Sequence, residues 1–250
     1  MPKQLLRHSM SRLSTHPLMN IVVLTGAGIS AESGVPTFRG ADGLWEGYRV
    51  EEVATPEAFE ADPLLVHTFY NMRRAKLLDG TIHPNPAHLA LARLAESKEH
   101  ELFLVTQNID DLHERGGSPE VLHMHGELLK ARCVDCGAVN PWREEMGRSS
   151  VCRACGHIDC LRPHVVWFGE MPIGLDEIGS AISRADLFVA IGTSGLVYPA
   201  AGFVSLARQA GVRTLELNLE ATAGSNVFHE SRRGRAGELV PLWVGELTGD

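Results

Sequence analysis

Ile21-Val22-Val23-Leu24-Thr25-Gly26-Ala27-Gly28-Ile29-Ser30-Ala31 is a short apolar run that breaks into a glycine-rich turn. An unbroken run of four apolar residues, bounded by a turn, has the pattern of a strand buried on both faces. The turn fits G-x-G-x-x-G/A. In that motif Gly26 and Gly28 permit a tight turn and close approach to a pyrophosphate, with the N–H groups of a following helix facing the anion. A purely structural strand-to-helix turn can carry the same letters.

Similar apolar runs follow at Leu102–Val105, Leu187–Ile191 and Thr214–Leu217. They end in Thr106-Gln107-Asn108, Gly192-Thr193-Ser194 and Asn218, and helical patterns such as Pro86–Ser97 and Ala200–Ala210 lie between them. This alternation predicts an α/β fold with a doubly wound parallel sheet, its ligands beyond the carboxyl ends of the strands. Two stretches interrupt it. Residues 46–84 are expected to be helical, with Pro56 and Pro63 as breakers, and residues 128–162 hold the cysteines with little strand periodicity.

Composition narrows the class. The chain has 250 residues, 44% hydrophobic and 22% charged, in the range of ordinary globular proteins. A net charge of −8 argues against a general nucleic-acid binder and is compatible with a basic protein segment as substrate. The apolar runs are too short to span a bilayer, so no membrane partner is expected. Residues 1–17 form an N-terminal arm carrying Lys3, Arg7 and Arg12 without an acid. It is either an ordinary partly ordered arm or a targeting segment; the expected location is cytoplasmic, with organelle targeting left open.

The cysteines give the most specific spacing. Cys133-x2-Cys136-x15-Cys152-x2-Cys155 is a zinc-ribbon pattern. Four thiolates saturate a tetrahedral ion and leave no position for water, so the single zinc is structural. Cys160 is surplus, a small buried apolar side chain. The acid that usually binds ribose in dehydrogenases is not well placed, since Glu46, Glu51 and Glu52 follow a loop rather than a second strand. Gln107-Asn108-Ile109-Asp110 can hold a carboxamide or ribose hydroxyl, or simply cap the next helix. In His123-Met124-His125-Gly126 a histidine is available as a general base, although a lone histidine is more often structural.

Together these segments resemble the sirtuin family of NAD-dependent protein lysine deacylases. The resemblance rests on GAGISAESGVPTFRG (26–40), TQNIDDLHERGG (106–117), HMHGEL (123–128), the four cysteines, LRPHVVWFGE (161–170), GTSGLVYPA (192–200) and LNLE (217–220). It implies a Rossmann-type NAD-binding domain from residues 18–45, 85–127 and 163–250. The helical insert 46–84 and the zinc module 128–162 then form one small domain. It implies that Gly26, Ala27, Gly28, Ser30, Thr37, Phe38, Arg39 and Trp45 supply the pyrophosphate loop and cofactor lid. Gln107, Asn108, Ile109 and Asp110 are assigned to the ribose and nicotinamide end, and Gly192, Thr193, Ser194, Asn218, Leu219, Glu220 and Ala236 to the adenosine side. The backbone of Val166, Trp167, Phe168 and Gly169 is expected to pair with the substrate peptide. In the family's chemistry the acyl oxygen attacks the ribose carbon as nicotinamide leaves, and a histidine then activates the ribose 2′-hydroxyl. The motif puts that histidine at His125, with Asn108 as the second catalytic candidate.

One feature resembles the desuccinylase-like branch. Tyr70 and Arg73 are three apart and share a helical face, and a phenol beside a guanidinium fork suits a carboxylate at the end of an acyl chain. Ala54 matches a small residue that leaves room for it, and the Thr37–Gly40 stretch looks like that branch too. The structural alternative packs Tyr70 on the main domain and pairs Arg73 or Arg74 with a surface acid. The expected substrates are acylated-lysine proteins, losing succinyl or malonyl groups and also acetyl. The alternatives are a deacetylase, or a mono-ADP-ribosyltransferase in which a protein nucleophile captures the same NAD-derived electrophile.

Overall fold

In the computed structural model, which describes residues 18–37, 44–45, 47–97 and 99–249, the opening apolar run is strand β1 (Asn20–Thr25). Two short 3₁₀ turns, Ala27–Ile29 and Ala31–Ser33, take the place of the helix expected after the glycines. Two contacts account for it: the Ile29 carbonyl accepts from the distant Asn85 Nδ2 at 2.7 Å, and Ser33 N closes an i→i−3 bond on Ser30 O. Phe38, Arg39 and the 1–17 arm lie outside the described residues.

A hairpin of β2 (Leu44–Trp45) and β3 (Tyr48–Arg49) leads into the insert, so Tyr48 and Arg49 are extended rather than helical. Helices α1 (Val50–Val53), α2 (Pro56–Ala61) and α3 (Pro63–Leu78) follow. Pro56 and Pro63 start helices instead of merely breaking them. Each sits in the first turn, behind Thr55 and Asp62, whose side chains accept from Ala58 N and Leu65 N. Next come α4 (Pro86–Ser97), β4 (Glu101–Thr106), α5 (Leu112–Arg115) and β5 (Leu122–His123).

The cysteine segment holds more strand than its letters suggested. Strands β6 (Gly126–Cys133), β7 (Val139–Pro141) and β8 (Leu161–Val165) form an antiparallel sheet in the order β7-β6-β8. The chain ends with α6 (Leu175–Ser183), β9 (Leu187–Ile191), α7 (Phe203–Gln209), β10 (Arg213–Asn218), β11 (Glu230–Arg233) and α8 (Ala236–Thr248).

The main sheet is parallel throughout, in the order β11-β10-β9-β1-β4-β5. Strand order runs outward from β1 in both directions, so the switch point lies between β1 and β9. A ligand crevice is expected there. Alternate residues of β1 feed two core layers. Ile21 and Val23 pack with Leu91, Leu94 and Trp243, under α4 and α8. Val22 and Leu24 pack with Ile178, Ile182 and Phe203, under α6 and α7. The insert has its own core, joining Val53, Ala54, Phe69, Tyr70 and Trp167. Among the described residues, no helix is long and apolar enough to cross a membrane.

Candidate active site and metal centre

The carboxyl ends of β1 and β9 meet backbone to backbone. Gly28 N donates to Gly192 O at 2.8 Å, and a Cβ on Gly28 would lie 2.6 Å from Gly192 Cα. Gly192 has φ +61° and its own Cβ would lie 2.4 Å from Ile29 N, so neither position tolerates a side chain. Asn218 Nδ2 donates to Thr193 O at 2.7 Å, bringing the end of β10 into the same crevice. Ser194, Leu219 and Glu220 are exposed beside it, and Ala236 opens α8, whose Gly237 N donates to Glu32 Oε1. Thr37 is half-buried and Trp45 lies in the short hairpin.

Behind the glycine turn is a buried polar network. Asn108 Nδ2 donates to Gly26 O at 3.2 Å and to Ser30 Oγ at 3.1 Å, and Ser30 Oγ donates to Asp110 Oδ2 at 3.1 Å. Asp110 Oδ1 accepts from Leu112 N, so the capping alternative is realised in the same residue. Burial pushes the Asp110 carboxyl up to about 6, against hydrogen bonds from Leu112 and Ser30. His88 and His113, not singled out by sequence reasoning, complete the network. His88 Nε2 lies 3.4 Å from Ser30 Oγ, and His113 Nε2 lies 2.9 Å from Thr25 Oγ1. Burial lowers His88 to about 4 and holds His113 well below the usual range, so both are neutral. Their only sequence signal was polar residues at otherwise apolar helix positions.

His123 ends β5 and His125 lies in the turn that follows it, and both rings meet the segment after β4. His125 Nδ1 lies 3.0 Å from Gln107 O, and His123 Nδ1 lies 3.0 Å from Asn108 O. A carbonyl only accepts, so Nδ1 of His125 carries the hydrogen and Nε2 keeps its lone pair. Burial lowers the His125 pKa, with the Gln107 carbonyl opposing, which favours this neutral form. Gln107 Nε2 is buried with no hydrogen-bond partner among the described residues. An orphaned amide beside the strand ends and a neutral histidine fits a crevice built for a polar ligand such as the ribose–nicotinamide end of NAD. Ile109 O accepts from Leu128 N and ties this turn to the zinc-bearing sheet.

The insert joins the segment after β8 through Ala54 and Tyr70. Ala54 O accepts from Phe168 N at 3.0 Å, and Trp167 Nε1 donates to the Tyr70 hydroxyl at 3.0 Å. Tyr70 is fully buried, and burial pushes its phenol pKa far up. Arg73 is half-buried and folds over the Phe69 ring, 3.2 Å from its centre, with Nη1 donating to Phe69 O. Its neighbour differs. Arg74 is buried and donates to Leu128 O, to Asn71 Oδ1 at 2.7 Å and to Glu144 O, and burial lowers it to about 10. The N–H groups of Val166, Trp167 and Phe168 already donate to His125 O, Glu170 Oε2 and Ala54 O. This turn is therefore braced, with Phe168 exposed and Gly169 at φ +89°.

The four cysteines converge as their spacing required. All four Sγ atoms lie within 4.8 Å of one another, with Cys133–Cys155 at 3.8 Å and Cys136–Cys152 at 3.7 Å. A tetrahedron of thiolates at the usual zinc–sulfur distance has edges of about 3.8 Å. The donor set therefore fits a closed structural zinc site. Cys160 is buried beside it and its Sγ donates to His157 O.

Comparison with known proteins agrees with this geometry. The Sir2 family profile matches residues 26–199. A protein of Vibrio parahaemolyticus named NAD-dependent protein deacylase is 57% identical over 231 residues, covering 92% of this chain and 96% of its own length. A solved Sir2 homologue–NAD complex superposes with a TM-score of 0.81 at 42% identity, covering 91% of this chain and 88% of that one. A second, a Sir2–p53 peptide–NAD⁺ complex, gives 0.75 at 31% identity, covering 92% and 93%.

Proposed function

The chain belongs to the Sir2 family, and from that premise we propose that it is an NAD-dependent protein lysine deacylase. It releases nicotinamide, O-acyl-ADP-ribose and free lysine. The observation that carries the reading is the fixed tautomer of His125, whose Nδ1 is committed to Gln107 O while Nε2 can accept a proton. Bound NAD supplies the electrophilic ribose carbon. The chain's own part is to hold and orient. Gly26, Ala27 and Gly28 bring backbone to the pyrophosphate, and Gln107, Asn108 and Asp110 take the ribose–nicotinamide end. Gly192, Thr193 and Asn218 take the adenosine side. Cys133, Cys136, Cys152 and Cys155 hold zinc, which organises the small domain and takes no part in proton transfer.

The preferred acyl group is acidic, succinyl or malonyl, with acetyl also accepted. Tyr70 packs with Ala54 and Trp167, Arg73 follows one helical turn later with its charge acting on the phenol, and a phenol and a guanidinium together match a terminal carboxylate. Half of the structural alternative holds, because Tyr70 is buried against Trp167 of the 163–250 segment; its other half, an acid partner for Arg74, does not, because Arg74 serves backbone carbonyls and Asn71. Mass spectrometry of an acyl-lysine peptide, with and without NAD, tests the activity. Nicotinamide release matched one-for-one by deacylation is expected, and loss of the acyl group without NAD would refute it. Radiolabel from NAD appearing on protein rather than on acylated ADP-ribose would point to ADP-ribosyl transfer.

A further inference from the structure

His123 is held differently from His125, although the Nδ1 atoms of the two rings meet adjacent carbonyls. Its Nδ1 lies 3.0 Å from Asn108 O and its Nε2 lies 2.7 Å from Glu114 Oε1. A backbone carbonyl and an ionised carboxylate both only accept, so each ring nitrogen must carry a hydrogen. We propose that His123 is a resident imidazolium, a positioning residue that ties the Asn108–Asp110 turn to α5 through paired charge-assisted hydrogen bonds.

The surroundings suit this assignment. The imidazole is buried, whereas the Glu114 side chain is 41% exposed, so the pair meets solvent on its carboxylate side. Burial opposes the charge of His123, but Glu114, the Asn108 carbonyl and Glu127 on β6 raise its pKa overall. Lys130 on the same strand acts on Glu114, and the neutral His113 lies on α5 next to it. In the other direction the imidazolium favours ionised Asp110, whose buried carboxyl otherwise leans toward protonation. Asn108 is the shared element: its carbonyl takes the His123 hydrogen while its side chain braces Gly26 and Ser30. Charge on His123 is thereby coupled to the shape of the ribose end of the crevice.

The first test needs no catalysis and stands apart from the deacylase reading. Nitrogen-15 NMR of the imidazole side chains, assigned with His123→Gln, should show both His123 nitrogens protonated at neutral pH. Glu114→Gln, at an exposed position that preserves folding, should lower its titration midpoint by about one pH unit or more. A neutral-imidazole pattern for His123 at pH 6.5 would overturn the proposal. In the kinetic arm, which rests on the deacylase reading, the KM for NAD of Glu114→Gln should begin to rise at a pH about one unit lower than that of the wild type, with kcat little changed. Superimposable pH profiles of the two proteins, alongside a confirmed imidazolium, would overturn the positioning role.

Discussion

The zinc module and the nucleotide crevice are held together in opposite ways. The module's core is small, with Ala131, Trp142, Met146 and Leu161 around the cysteines, and it leaves Val134 and Ile158 largely exposed. Four thiolates from two short sequence pairs do what a larger apolar core would do elsewhere. The crevice has no local device of that kind. Its polar groups come from β1, α4, β4, α5 and the segment after β5, and they converge only because two apolar layers fix the sheet. One region is stable through a ligand, the other through its scaffold.

The largest expected effect separates them. Zinc chelation, or Cys152→Ser, should remove on the order of 10 kcal/mol from the module and unfold it locally. Hydrogen exchange would then rise across 128–162 while β1, β4 and β9 stay protected. Simultaneous loss of protection in β1 would show that the regions are one cooperative unit. Next in size, His125→Ala should lower deacylation by about 10²–10⁴-fold with zinc content and melting temperature near wild type. Retained turnover would remove His125 from proton transfer.

Adjacent arginines on α3 sharpen the contrast. Arg74→Met leaves the carbonyls of Leu128 and Glu144 without their donor and should cost about 2–3 kcal/mol of stability, read from denaturant unfolding. Arg73→Met should leave stability nearly unchanged and act on substrate choice. The smallest effect is in the pH dependence. His88 and His113 have folded pKa values below the ordinary 6.5, so the unfolded chain binds their protons first and stability falls as pH drops through 6.5 toward about 4. Asp110 and His123, whose values are raised, work in the opposite sense over part of that range. A net loss of about 1 kcal/mol between pH 6.5 and 5.5 is expected from chemical denaturation; a gain would mean that the buried histidines are charged.

Legibility followed the same division. The strands around Val22, Leu104, Val189 and Leu215 were readable because apolar runs bounded by turns have few alternatives, and the zinc ligands because thiolate spacing is local. The 3₁₀ turns after Gly28 were not, since they depend on Asn85, far along the chain, taking the Ile29 carbonyl. Strand β6 was hidden because Glu127, Lys130 and Arg132 interrupt its apolar positions and its pairing with β8 shifts register between Gly126 and Ala131. His88 and His113 were invisible as network members, because a histidine in a helix has the same letter whether it meets water or Ser30. The placement of His125 as base came from family likeness, and only the Gln107 carbonyl supplies its physical reason.

The most direct test mixes succinyl-lysine and acetyl-lysine forms of one peptide with NAD and follows both by mass spectrometry, for wild type and Arg73→Met. The account predicts faster loss of succinyl by the wild type and a selective drop of about 10–100-fold in that reaction alone for the variant. Faster loss of acetyl by the wild type, or an equal drop on both peptides, would contradict it.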